Sequence, residues 1–92
     1  MDNKWDFKTL EEALRTGREI EFTFRGKNYS ITNTNQQWIL CCDTDEKILS
    51  KLCAYSEMDL LIKKISIFKI DGIYIPDIFN NSLYQENSIC IL

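Results

Sequence analysis

Apolar and polar residues alternate from residue 18 onward. Ile20, Phe22 and Phe24 are interleaved with Glu19, Glu21, Thr23 and Arg25. A period of two places the apolar set on one face of a strand. The alternation resumes after Gly26-Lys27, with Tyr29 and Ile31 against Ser30 and Thr32. Taking Gly26-Lys27 as a two-residue loop with glycine first, a type II′ turn, sets Phe24 opposite Tyr29, Phe22 opposite Ile31 and Thr23 opposite Ser30. All four large apolar residues then share a face, and a slip of one residue would send one strand's set into water. The polar run at residues 33–37 is the next turn. Trp38, Leu40 and Cys42 then alternate with Ile39 and Cys41, a third strand that is apolar on both faces and so expected to be the more buried.

The flanks read as helices and shorter strands. Phe7, Leu10, Ala13 and Leu14 fall on one helical face over residues 7–16, with Asp6 as N-cap, Thr9-Leu10-Glu11-Glu12 as a capping box for a later start, Gly17 at the C-terminal stop and Trp5 over the helix start. Residues 43–46 form a turn. Residues 47–53 fit either a strand, with Ile48 and Leu52 on one face and Leu49 and Cys53 on the other, or a helical stripe of Ile48, Leu49 and Leu52. A fourth antiparallel strand is preferred, because the turns on either side leave only about two helical turns of chain. Ser56-Glu57-Met58-Asp59 resembles a capping box before a second helix, striped by Met58, Leu61, Ile62 and Ile65 and ending near Lys63 and Lys64. Asp71-Gly72 between two apolar alternations predicts a hairpin. Pro76 ends its second arm and begins a short helical turn over residues 77–81. The last four residues, Ile89, Cys90, Ile91 and Leu92, are apolar and predict an edge strand or a docked terminus. The fold class is therefore α+β: an antiparallel meander of three or four strands, two helices on one face, and a C-terminal hairpin or edge strand, in a single domain over residues 1–92.

Composition narrows the chemistry. A chain of 92 residues with 14 acids and 11 bases carries a net charge of −3, too little basic clustering for a nucleic-acid footprint. It has no histidine, which removes the commonest general base and a common zinc ligand. Four cysteines with no apolar leader behind residues 1–4 predict reduced thiols and a cytoplasmic protein. No apolar run approaches the ~18 residues of a membrane span. Asp43, Asp45 and Glu46 do not make an EF-hand loop, since the sixth and twelfth positions hold Ile48 and Ala54. Cys41 and Cys42 are neighbours on a strand, so they point to opposite faces and cannot easily share one ion. Gly26-Lys27 lacks the frame of a phosphate-binding loop, and Lys63, Lys64 and Lys69 read as a solvated helix end. No catalytic set, metal site or cofactor is expected. Trp5, Tyr55, Tyr74, Phe79 and Tyr84 lie on segments with weak core patterning, and aromatics left on the surface would mark a partner-binding patch.

The run LEEALRT-GREIEFTFRGKNYSITNTNQQWIL resembles small uncharacterised proteins of low-GC Gram-positive bacteria and their phages: a helix, a glycine, a G-R-E-I-E-F strand, a G-K turn, a Y-S-I strand and a tryptophan-containing strand. The match covers residues 7–40, with a looser match at the second helix and the I-D-G turn, and it brings no catalytic residue. The resemblance implies a mobile-element context. With the small size, mild acidity and empty catalytic search, it leads to a non-catalytic protein-binding module, an inhibitor of a host defence factor such as an anti-CRISPR or other anti-defence protein, acting by stoichiometric binding. The alternatives are a homo-oligomer formed through the C-terminal strand that sequesters a small molecule or nucleotide, and a structural protein of a mobile element.

Overall fold

The computed structural model describes residues 5–92; residues 1–4, on which the absence of a leader was argued, lie outside it. The central hairpin forms from β1 (Ile20–Phe24) and β2 (Lys27–Thr34). Its register places Ile20 opposite Ile31, Phe22 opposite Tyr29, Thr23 opposite Asn28 and Phe24 opposite Lys27. This corrects the expected loop. The turn is Arg25-Gly26, with φ of 52° and 79°, the two left-handed residues of a type I′ hairpin. A glycine suits the first position of one turn type and the second position of the other, so the pattern alone left the loop one residue out and the pairing two residues out. A two-residue shift preserves side-chain parity. Phe22, Phe24, Tyr29 and Ile31 therefore all face inward, at 4% exposure or less. The Arg25 guanidinium lies 5.1 Å from the Phe24 ring centre, a contact that partly offsets its left-handed backbone.

β3 (Gln37–Cys42) follows a second tight turn at Asn35-Gln36, both left-handed and much shorter than the polar run suggested. Trp38 and Leu40 are fully buried, and Ile39 is buried on the opposite face, as a strand apolar on both sides requires. β4 (Lys47–Ala54) is a strand. Its pairing with β3 shifts between Trp38 and Ile39 and again between Leu40 and Cys41. Each shift is a bulge that leaves one extra residue on β4, Leu52 at the first and Leu49 at the second. The expected faces change accordingly: Leu52 and Cys53 both reach the core, while Ile48 is 51% exposed.

A fifth strand, β7 (Cys90–Ile91), joins the open side of β1, giving the order β4-β3-β2-β1-β7, antiparallel throughout. The Asp71-Gly72 hairpin forms a separate two-stranded sheet from β5 (Lys69–Ile70) and β6 (Ile73–Tyr74). Three helices line the core: α1 (Phe7–Arg15), α2 (Met58–Ser66) and α3 (Ile75–Asn80), the last being the helical turn expected over residues 77–81, begun two residues earlier. They contribute Leu10 and Leu14, Leu61 and Ile65, and Ile75, Ile78 and Phe79 to the same cluster as Ile20, Phe22, Ile31, Trp38 and Leu40. Each such side chain contributes roughly 1.5–3 kcal/mol by burial.

The helix ends follow their local chemistry. Asp6 caps α1 by accepting from the Thr9 N–H at 2.8 Å, so the later capping box is not used. Gly17 ends it with φ of 85°, its N–H on the Leu14 carbonyl and the Arg18 N–H on the Ala13 carbonyl, the paired bonds of a Schellman stop. Ser82 takes the same role after α3, left-handed at 52°, with Leu83 bonding back to Ile78. α2 departs from its predicted start. Glu57 occupies the N-cap position, and its carboxylate turns back to accept the Ala54 N–H at 3.1 Å. Pro76 lies inside the first turn of α3 and does not precede it, because its missing N–H is one the first turn leaves unpaired anyway.

Candidate interaction surfaces

The five aromatic candidates do not form one patch. Phe79 is 1% and Tyr84 9% exposed, which corrects the expectation that weakly patterned segments leave their aromatics outside. Phe79 meets Phe22 edge-on at 5.1 Å and Tyr84 at 5.4 Å, and Phe22 stacks on Tyr29 at 5.7 Å. The Trp5 N–H donates to the Tyr84 hydroxyl at 2.8 Å, and Trp5 is half-buried against the core. Three of the five thus bind the chain's two ends together. Tyr55 and Tyr74 keep exposed edges on separate elements. Tyr55 stacks on Trp38, and Tyr74 carries the Lys69 ammonium 4.7 Å above its ring.

The sheet edges are more informative, because they differ. Edge strands expose unpaired backbone groups and are ordinarily blunted by bulges, lysines or shortness. β4 has two bulges and exposed lysines at positions 47 and 51. The other edge has no bulge and no lysine; its one blunting feature is shortness, β7 being two residues long. After a turn at residues 86–87, the strap of residues 88–92 runs antiparallel along β1: the Gln85 N–H before the turn donates to the Thr23 carbonyl at 2.7 Å, the Thr23 N–H to the Ser88 hydroxyl at 3.1 Å and the Leu92 N–H to the Glu19 carbonyl at 2.8 Å. Arg18 adds a bond from Nε to the Leu92 carbonyl at 3.3 Å. Ile20 faces Ile91, and Glu21 faces Cys90. The strap thereby pairs β1 and becomes the edge itself. It is uncharged from Ser88 to Leu92, and it leaves Ile91 40% and Leu92 53% exposed. The apolar run had suggested an edge strand. It could not name β1 as its neighbour, because a segment apolar at every position gives no facing direction.

The sheet face away from the helices is polar at its centre. Glu21, Ser30, Cys41 and Ile48 lie in one row across four strands. The buried Ser30 hydroxyl donates to Asp43 at 3.1 Å. Burial, and then the nearby Asp43 carboxylate, push the Cys41 thiol up. Burial followed by Glu57 does the same at Cys53. Both thiols are therefore held protonated and poorly nucleophilic at neutral pH. All four cysteines are free.

A crevice of about 220 Å³ opens where the β2–β3–β4 ends meet the small hairpin, walled by Tyr29, Leu49, Phe68 and Ile70. Lys27, Lys47 and Lys69 face Asp45 and Asp71 around it. Lys27 is already paired with Asp45 at 2.7 Å; this hydrogen bond raises the lysine and lowers the carboxylate from their ordinary values. The crevice is smaller than the ~300–1,000 Å³ usual for organic-ligand pockets. Among the described residues, no three metal-ligating side chains of the His, Cys, Asp and Glu set come together, and no helix is long and apolar enough to cross a membrane. Comparison of the chain with protein-family models, curated proteins and solved structures finds no match.

Proposed function

We propose that this chain is a non-catalytic protein-binding module whose contact surface is the outer edge of β7, extended by the exposed Ile91 and Leu92 side chains. The contrast between the two sheet edges carries this reading. β4 has two bulges and exposed lysines, whereas the strap presents uncharged extended backbone and apolar side chains to solvent. Such an edge accepts an added strand: main-chain hydrogen bonds supply affinity and alternate side chains supply selectivity. The absence of histidine from the composition and the protonated state of Cys41 and Cys53 support binding over acid–base or thiol chemistry. The resemblance to phage-associated proteins supports a host defence factor as the partner, held in a stoichiometric inhibitory complex. Capture from a host lysate on immobilised protein tests the reading. One protein retained at a fixed molar ratio by the wild type, and lost with Ile91→Pro, is the expected result. Consumption of a partner or nucleotide at sub-stoichiometric amounts of this chain contradicts it, as does capture that Ile91→Pro leaves intact.

A further inference from the structure

We propose that the outer edge of β7 also pairs with the same edge of a second copy, across a two-fold axis that passes between Cys90 and the partner's Cys90. The proposal rests on the edge reading above and specifies a partner and a register for it.

The direction of the backbone groups fixes the register. The Leu92 N–H and the Ser88 hydroxyl are bonded to β1, and Cys90 faces Glu21 in the same ladder. Antiparallel pairing turns alternate residues to alternate sides. Residues 88, 90 and 92 therefore address β1, and Ile89 and Ile91 present their N–H and carbonyl groups outward. Two antiparallel copies must match outward residues with outward residues, which leaves three registers. Among the described residues, centring on Ile91 pairs only residues 90–92 of each strap and leaves the outward groups of Ile89 unmatched. Centring on Ile89 requires extended chain before Ser88, where Asn87 is left-handed at 64° and the Ser88 N–H turns back to the Gln85 carbonyl. The remaining register sets Ile89 against the partner's Ile91 and uses residues 88–92 in full. It places the two Cys90 residues opposite each other in a non-hydrogen-bonded pair, where Cα atoms approach to about 4.5 Å, within the span a disulfide bridges.

Charge agrees with a second copy as occupant. The segment from Ser88 to Leu92 has no charged side chain, so two copies of a chain of net charge −3 meet there without like charges face to face. The isologous geometry is self-complementary, as a two-fold interface requires. A single short strand pair buries less than the ~1,600 Å² of a standard interface. The dimer is therefore weak and dissociates on dilution.

Thiol exchange with oxidised glutathione reads out the register. A Cys90 thiolate attacks the glutathione disulfide and releases one glutathione thiolate; the partner's Cys90 then attacks the mixed disulfide and releases the second. The expected result is a covalent dimer that peptide mapping assigns to Cys90–Cys90, formed at least tenfold less by Ile91→Pro and by dilute wild type. Ile91→Pro removes an N–H that points away from β1, so its melting temperature serves as a control on the fold. In sedimentation, Cys90→Ser keeps the concentration-dependent dimer without the covalent link. Equal cross-linking of wild type and Ile91→Pro, linkage through Cys41, or mixed disulfide alone at high protein concentration overturns the proposal. Wild type that gives no Cys90 pair while lysate capture still depends on Ile91 overturns self-pairing and leaves the edge reading standing.

Discussion

Trp38 and Tyr55 are joined twice: the indole Nε1–H donates to the Tyr55 carbonyl at 3.1 Å, and the two rings stack 5.6 Å apart and 14° from parallel. The carbonyl bond pins the chain as it leaves β4 for α2, and the stack covers the buried indole. Tyr55→Ala keeps the carbonyl and removes only the stacked ring, which predicts a loss of about 1 kcal/mol, read as a fall of roughly 4–8 °C in melting temperature. Trp38→Ala empties the core and costs about 3–5 kcal/mol, comparable with the whole stability of a small domain.

The same tyrosine closes over Gly17. A Cβ at Gly17 would lie 2.8 Å from the Tyr55 hydroxyl, on a backbone already at φ of 85°. Gly17→Ala should lower stability by about 1–2 kcal/mol, mostly through the left-handed backbone. Adding Tyr55→Phe removes the close contact but not the backbone strain. The double variant is therefore expected to recover a minor part of the loss in denaturant titration, and full recovery would contradict this division.

The Asn35-Gln36 turn carries a glutamine at φ of 61°, where hairpins of this type favour glycine. Gln36→Gly creates an Asn-Gly turn and should stabilise the chain by about 0.5–1 kcal/mol. Thermal unfolding checks the sign.

Acid sensitivity should arise at Asp6, as at the Lys27-paired Asp45. The Asp6 carboxylate accepts from both the N–H and the hydroxyl of Thr9, each at 2.8 Å, and these bonds hold it below its ordinary value of 3.8. The folded state therefore favours the ionised form. The resulting stabilisation is fully present above that ordinary value and is lost as pH falls through the depressed one. Asn caps a helix about as well as Asp, so Asp6→Asn should match wild type near neutral pH and lose less stability below about pH 3.

Parity made the core legible in the sequence. Phe22, Phe24, Tyr29 and Ile31 reach it even though the turn chemistry pointed to the wrong loop, because any even slip preserves facing. The ambiguity over residues 47–53 was itself physical. The two bulges turn the half-buried Leu49 and the buried Leu52, three residues apart, toward the core, and three is a helical interval, so a strand with two bulges imitates a helix stripe. Exposure of aromatics was not legible. Phe79 and Tyr84 are buried by contacts with Phe22 and Trp5 that are remote in sequence. The neighbour of the last strand was equally hidden, since its pairing with β1 spans almost the whole chain.

The open edge of β7 is the claim on which the functional account depends, and amide hydrogen exchange measured residue by residue tests it most directly. At low concentration the amides of Cys90 and Leu92, bonded to β1, should be protected, while those of Ile89 and Ile91 exchange freely. Raising the protein concentration or adding a captured partner should protect Ile89 and Ile91 without changing the other two. Protection of Ile89 and Ile91 in the dilute monomer, or no response of either to concentration or partner, would contradict the account.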